Sequence, residues 1–422
     1  MINLINLPDT AKINGSGHLE IGGCDVIDLA REFGTPLYVM DEATLRDRCR
    51  QYLKSFRTHY PNSEIIFASK ALCTVGISKI IASEGLGFDV ASGGELYTVL
   101  EAGADPKKIY FHGNNKSPRE IKEGLEAEIG RFVVDNEQEL EHLDRITKES
   151  GLRAHILFRI NPGIEAHTHE FIQTGKIDSK FGVQLVSLDA LVDKTRKMKL
   201  IELKGLHAHI GSQILEVKPF VAEIGLLLEL THRYKLEEMN MGGGLGIAYL
   251  PQHSPPAIDH LAGEISKVIK DKTVAKLVLE PGRSVVGTAG VTLYTVGGIK
   301  DIAGIRKYIF IDGGMADNPR PILYDAKYDA LIGNKPEADR NETVTVAGRF
   351  CESGDILIKD IRLPRAEVGD TLVVTCTGAY NYSMASNYNR VARPAMVLAH
   401  NGDAAIVVKR ESYEDLILND AI

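Results

Sequence analysis

Between Glu64 and Gly282 the chain alternates between short β-branched or aromatic runs and stretches of helical period. The strand-like runs are Glu64 to Lys70, Gly87 to Ser92, Lys108 to Gly113, Arg131 to Asp135, Ala154 to Asn161, Leu203 to Gly211, Glu238 to Gly244 and Lys276 to Gly282. Strands that alternate with helices form parallel sheets, and eight such units predict a closed (β/α)8 barrel. On period alone, a doubly wound open sheet remains a competitor.

The helix signals support the alternation. Ser117 followed by Pro118 reads as an N-cap with proline at the first helical position, and Gly103 and Gly151 read as helix stops. Polar residues favour the barrel: Lys70, Asp89, His112, Asn161, His209, Gly242 to Gly244 and Glu280 all fall at the C-terminal ends of their runs. That is the end at which barrel enzymes carry their chemistry.

A barrel of about 250 residues leaves much of a 422-residue chain over. After Val285 the helical period fades into strand-like runs such as GVTLYTVGGI, YIFIDGG, TVTVAG, ILIKDI and TLVVTCTG, separated by turn signals. The predicted organisation is α/β plus β: an N-terminal segment over residues 1–40 joining the β domain, a barrel over 41–285, and a C-terminal, mostly β domain over 286–422.

Charge narrows the partners. With 57 acidic against 49 basic residues the formal charge is −8, leaving no surplus to neutralise nucleic acid or an anionic bilayer. A small-molecule substrate is expected instead. Five cysteines in no CxxC spacing argue against a disulfide framework or structural zinc, and no metal site is expected. The start MINLINLPDT lacks a basic stretch and a long apolar run, so a cytoplasmic protein is expected.

Four signals in the predicted barrel mouth point to chemistry. Lys70, in FASKAL, could act as a nucleophilic amine, although taken alone it equally suits a lysine snorkelling to the rim. The run Gly242-Gly243-Gly244-Leu245-Gly246 lets backbone N–H groups converge on an anion, and a ligand-free tight turn is its plainer reading. Glu280-Pro281-Gly282-Arg283 puts a carboxylate and a guanidinium at one strand end, where an internal ion pair would also serve. His209, in HAHIGSQ, stands before Ser212 and Gln213, and alone it is as well read as a core histidine. Together, an amine, a flat ring, a phosphate cradle and an acid answer the aldehyde, ring, phosphate and pyridine nitrogen of pyridoxal 5′-phosphate.

The motifs FASKAL, HTHEFIQTGKIDSKFG, HAHIGSQ, MGGGLG, EPGR, NPRPILYDA, CESGD and GAYNYSMASNYN, in this order, resemble those of the diaminopimelate decarboxylase family. These are fold-type III, alanine-racemase-like pyridoxal-phosphate enzymes. The resemblance runs over nearly the whole chain and implies a carboxy-lyase of lysine biosynthesis that works on meso-diaminopimelate. It implies that Lys70 links covalently to the cofactor and that His209 stacks on its ring. Ser212, Gly242, Gly243, Gly244, Gly282 and Arg283 would hold its phosphate, with Pro281 in the same cofactor-binding turn, and Glu280 would partner its pyridine nitrogen.

Arg283, Arg320 and Tyr324 would grip the substrate end that does not react, Glu352 would read its amino group, and Tyr380 would touch both cofactor and substrate. Cys351 is implied to be a proton donor supplied by the partner subunit of a homodimer. Neighbouring carboxylates and partial burial would keep its thiol neutral. The stretch Arg390-Val391-Ala392 and Met396 depart from the commoner family pattern. Residues 164–180 read as a long active-site loop. A polyamine-pathway or basic amino acid decarboxylase would share Lys70, His209 and Glu280, and a catalytically idle cofactor-binding protein is the alternative of another class.

Overall fold

The computed structural model describes residues 6–164 and 179–421. The loop expected at 164–180 lies, apart from its ends, outside the described residues, as does most of the motif HTHEFIQTGKIDSKFG. The chain divides into two compact units, one comprising Arg48–Gly246 and Ser254–Ser284, the other Met1–Asp47, Ile247–His253 and Val285–Ile422.

The first unit is the (β/α)8 barrel that the alternation predicts. Its strands are β1 (Ser63–Ala68), β2 (Gly87–Val90), β3 (Ile109–Phe111), β4 (Arg131–Val134), β5 (Ala154–Arg159), β6 (Ile201–His207), β7 (Glu238–Asn240) and β8 (Lys276–Leu279). Each pairs in parallel with its sequence neighbours, and β8 closes on β1 through Leu277 beside Ser63 and Leu279 beside Ile65. Helix α1 (Glu42–His59) leads into β1; α2 (Val75–Ser83), α3 (Gly93–Glu101), α4 (Pro118–Glu126), α5 (Glu137–Ser150), α6 (Leu188–Thr195), α7 (Lys218–Tyr234) and α8 (Ile258–Ile269) follow successive strands.

Local chemistry sets the helix ends. Ser117 accepts from the Glu120 N–H while the Glu120 side chain reaches back to Ser117, a reciprocal cap worth about 1 kcal/mol. Gly151 ends α5 in the left-handed conformation, φ 73°, that glycine adopts without strain.

Within the barrel, Ile66, Tyr110, Val133, Leu157 and Val278 from five strands meet in one buried cluster. At the N-terminal ends of the strands a charged layer closes the floor: Arg131 pairs with Glu238 at 2.9 Å, and Lys276 with Glu64 at 2.7 Å. The other end is left for the site.

The strands stop earlier than their apolar runs suggest. β1 ends at Ala68, and Lys70 sits on a single 3-10 turn, Ser69–Ala71. β6 ends at His207, β7 at Asn240 and β8 at Leu279, so His209, Gly242–Gly244 and Glu280 lie just past the strand tips. The ladder lapses there because the backbone turns out of the pleat, with Gly242 at φ 60° and Gly244 at φ 119°.

The second unit is built on a mixed sheet. β9 (Gly290–Ile302), β10 (Arg306–Ile311), β12 (Glu342–Ala347) and β13 (Ile356–Leu363) form one side in the order β13-β12-β10-β9. The sheet continues from β9 through the strand Leu37–Asp41 to β15 (Ala395–His400) and β16 (Asp403–Val408), while β11 (Ala330–Ile332) pairs with β14 (Thr371–Val374), which pairs with β9. Successive residues of β9 serve opposite faces: Val291 and Leu293 pack with Leu37, Val39 and Val397, whereas Tyr294 and Val296 pack with Ile309, Val346 and Val374. Among the described residues no helix is long and apolar enough to cross a membrane.

Candidate active site

Glu280 is a heavily partnered side chain of the barrel mouth. Its Oε1 lies 2.8 Å from His112 Nε2 and accepts from Asn240 Nδ2 at 2.8 Å, while Oε2 lies 3.3 Å from His207 Nε2. The two imidazole rings meet edge to face at 4.8 Å. Burial alone would raise this carboxyl's pKa, but the two imidazoles overcome it and hold Glu280 well below the usual carboxylate range. Burial pushes His207 down to about 4, so its imidazole is neutral at pH 7 and donates a neutral hydrogen bond. The result is an ionised, oriented carboxylate out of water.

His209 follows two residues after His207, just past the end of β6. Its Nδ1 accepts the Gly243 N–H at 3.3 Å, which places the ring proton on Nε2 when the ring is neutral. Burial, then the nearby charges of Lys70 and Arg159, hold its pKa well below the ordinary value. A neutral flat ring results.

The glycines beside it are imposed by close backbone approach. A Cβ on Gly243 would lie 2.2 Å from the Glu280 carbonyl oxygen, one on Gly242 would lie 2.8 Å from that of Ala208, and one on Gly244 would lie 2.5 Å from that of Gly211. Ser212 stands between Gly211 and Gln213, which pack on Gly244 and Gly246, and its Oγ accepts from Arg283 Nη2 at 2.9 Å. A buried guanidinium, a hydroxyl and a glycine turn in one place fit a phosphate.

Lys70 completes this group. Its charge acts on Asp89, Glu95 and His209. Asp89 lies beside Ala68 in the β1–β2 register, and Glu95, on α3, accepts the Ala91 N–H at 2.7 Å. Burial raises the Glu95 carboxyl to about 7. Gly282 lets the end of β8 approach this turn, since a Cβ there would come within 3.0 Å of that of Ala71, and the Pro281 carbonyl accepts the Ala68 N–H at 3.1 Å. Lys70, His209, Ser212, Gly242–Gly244, Glu280, Pro281, Gly282 and Arg283 are thus all placed at the barrel mouth.

The remaining sequence-predicted residues belong to the second unit. Arg320 opens the short helix Arg320–Tyr324, which puts Tyr324 at its end, and the Arg320 charge lies 5.8 Å from the centre of the Tyr380 ring. Cys351 and Glu352 stand on an exposed turn. Asp355 shapes that turn by accepting the Phe350 N–H at 2.9 Å and the Met315 N–H at 2.7 Å, and the Cys351 N–H donates to Asn389 Oδ1 at 3.2 Å. The expected partial burial of Cys351 is not found: the turn projects its thiol outward within this chain. In the stretch that departs from the family pattern, Arg390 is tied to the chain end through the Leu416 carbonyl at 2.7 Å and Asp420 at 2.6 Å, and Met396 is buried in β15.

Sequence reasoning missed His207, Asn240, Arg159 and Glu95. The signal for the first was present, since HAHIG places His207 and His209 two apart, the spacing of one strand face. Asn240 and Arg159 had none, because their partners are brought together only by closure of the barrel.

This mouth, with its strand-tip lysine, phosphate cradle and ionised carboxylate, defines a barrel of the pyridoxal-phosphate-binding class. Residues 43–287 match the family model described as the pyridoxal-binding domain of pyridoxal-dependent decarboxylases. Over 437 aligned residues the chain is 48% identical to a Synechocystis diaminopimelate decarboxylase, covering 99% of this chain and 93% of the relative. It is 44% identical to that of Bacillus subtilis, with 98% of each covered. Among solved structures, the M. jannaschii diaminopimelate decarboxylase in complex with L-lysine superposes with a TM-score of 0.93 at 37% identity, covering 98% of both chains. The chain belongs to the diaminopimelate decarboxylase family.

Proposed function

We infer that this chain removes one carboxyl group of meso-diaminopimelate as CO2 and releases L-lysine, with pyridoxal phosphate held in the barrel mouth. The observation that carries this reading is the joining of Lys70, His209, the Gly242–Gly244 turn and Glu280 at one barrel end, in a chain similar over its full length to enzymes of that name. Bound pyridoxal phosphate supplies the electron sink that takes up the charge left by departing CO2. The stereochemical choice, removal at the D centre, rests on family likeness.

The chain's own residues supply the rest. Lys70 is the covalent anchor for the cofactor aldehyde. Ser212, Gly242–Gly244, Gly282 and Arg283 grip the phosphate, and neutral His209 offers a flat face to the ring without adding charge. Ionised Glu280 keeps a pyridine nitrogen protonated, and its imidazole and amide partners fix its orientation. In the second unit, Arg320 and Tyr324 hold the distal carboxylate, Glu352 reads the distal ammonium, and Tyr380 lines the same site.

The proton that replaces CO2 comes from the Cys351 thiol of a partner subunit. Exposure of Cys351 within one chain supports this homodimeric arrangement, since a donor that works in another subunit must face outward. A cytoplasmic setting accords with this role.

The test is CO2 release from meso-diaminopimelate beside L-lysine, L-ornithine and L-arginine, with Lys70→Ala as the control. Preference for meso-diaminopimelate and loss of turnover in the control are expected. Preference for ornithine or arginine would overturn the substrate assignment, and full activity in Lys70→Ala the cofactor mechanism.

A further inference from the structure

Arg320 is a buried cation, 6% exposed, and among the described residues it has no carboxylate within ion-pair distance. Tyrosines surround it instead. Its Nη1 donates to Tyr249 Oη at 2.9 Å and to Tyr328 Oη at 2.6 Å. The guanidinium carbon lies 5.1 Å from the centre of the Tyr249 ring and 5.7 Å from that of Tyr328, and the two rings cross at 82° with centres 5.3 Å apart. Tyr328 Oη in turn donates to Asn381 Oδ1 at 3.2 Å, and Asn381 is fully buried.

This arrangement divides the guanidinium. Nη1 carries two hydrogens, and the two tyrosine oxygens take both. The edge formed by Nε and Nη2 is then the pair of parallel donors left for a carboxylate. Ring faces steady the cation without neutralising it, so a demand for an anion persists out of water.

We propose that Tyr249 and Tyr328 are positioning residues that lock Arg320 with its Nε–Nη2 edge turned to the distal carboxylate of the substrate. The assignment rests on the diaminopimelate reading above. Tyr249 comes from the stretch Ile247–His253, which follows directly on the glycine turn and belongs to the second unit. Two contacts seat this stretch there: Cys376 Sγ on the Ala248 carbonyl at 3.4 Å, and Asn6 Nδ2 on the Tyr249 carbonyl at 3.4 Å. The chain that shapes the phosphate turn therefore goes on, within a few residues, to hold the arginine that selects the substrate's far end.

Tyr328→Phe in the holoenzyme keeps the ring and removes the hydroxyl. The expected result is a KM for meso-diaminopimelate raised about tenfold with kcat within about threefold, and an unchanged visible spectrum of the bound cofactor. Inhibition by L-lysine, which retains the distal carboxylate, should weaken by the same factor, while inhibition by 1,5-diaminopentane, which has none, stays as in wild type. Tyr249→Phe, on a separate segment, gives the same readout should Tyr328→Phe fail to fold.

KM and L-lysine inhibition within twofold of wild type would overturn the positioning role. So would equal weakening of L-lysine and 1,5-diaminopentane, or a rise in KM accompanied by loss of bound cofactor, since either marks general disruption. Absence of CO2 release from meso-diaminopimelate by wild type would instead defeat the substrate reading beneath it.

Discussion

Glu280 and Arg320 are both buried charges, yet their surroundings differ in kind. Glu280 is surrounded by donors from three other strand ends: two imidazoles and an amide. Arg320 is surrounded by tyrosine hydroxyls and ring faces, with no opposing charge among the described residues. A charge satisfied by its own protein is a fixed tool, suited to holding a cofactor in one electronic state. A charge only half satisfied is a receptor that waits for its counter-ion. Glu223 is a third kind: fully buried on α7, with neither carboxylate oxygen hydrogen-bonded among the described residues, and held by burial, then by the charge of Glu280, well above the usual carboxylate range. Burial thus biases it toward the neutral form.

These three environments predict graded effects. Glu280→Ala strands two imidazoles and removes the proposed partner of the pyridine nitrogen, so kcat should fall about a hundred- to thousandfold with cofactor still bound, read from steady-state rates and the visible spectrum. Wild-type kcat would break the first half of the comparison.

Acid should act on the same cluster through His207. Its pKa is lower folded, about 4, than the usual 6.5, so the unfolded chain takes up the proton first as pH falls. Its contribution is intact above about pH 6.5 and is lost between there and about pH 4, amounting to roughly 3 kcal/mol. Depressed Glu280 acts in the same direction, but only below the usual carboxylate range. Denaturant melts at stepped pH should show this decline in wild type and a shallower one in His207→Gln.

Glu223 reverses the sign. A carboxyl whose folded pKa is raised loses stability as pH climbs from its unfolded value toward the folded one. Glu223→Met should therefore stabilise the protein by about 1–3 kcal/mol at pH 7 and by less at pH 4, where only the cost of the buried neutral carboxyl is relieved. Melts at the two pH values check this.

A further effect is expected at the cradle. Gly243→Ala puts a methyl 2.2 Å from the Glu280 carbonyl oxygen, and the loop must shift to take it. Cofactor affinity should weaken about tenfold, measured by absorbance titration of the apoenzyme.

Much of this was written locally in the chain. The eight alternations were legible because parallel barrel strands are buried on both faces and read as apolar runs bounded by turn residues. Lys70, the glycine run and Glu280 were legible as polar or glycine breaks in those runs. Where each strand ends was not, because pairing stops where the neighbour's register lapses, and an apolar run does not record its neighbour. The donors on Glu280 were also hidden: His112, His207 and Asn240 lie 168, 73 and 40 residues away in sequence, and only closure of the barrel gathers them. Tyr249 was hidden for a different reason. Its stretch, GIAYLP, carries no composition shift, yet Ile247–His253 packs with the β unit rather than with the barrel that flanks it on both sides.

The comparison stands or falls on what Arg320 is waiting for. Arg320→Met keeps a long apolar stem and removes the charge, and the decisive quantity is the KM-against-kcat split for meso-diaminopimelate in that variant. The account predicts KM raised about a hundredfold, the cost of an unpaired substrate carboxylate, with kcat changed far less and cofactor fully bound. A KM near wild type with a collapsed kcat would contradict it, because Arg320 would then serve the reacting centre and not the far end of the substrate.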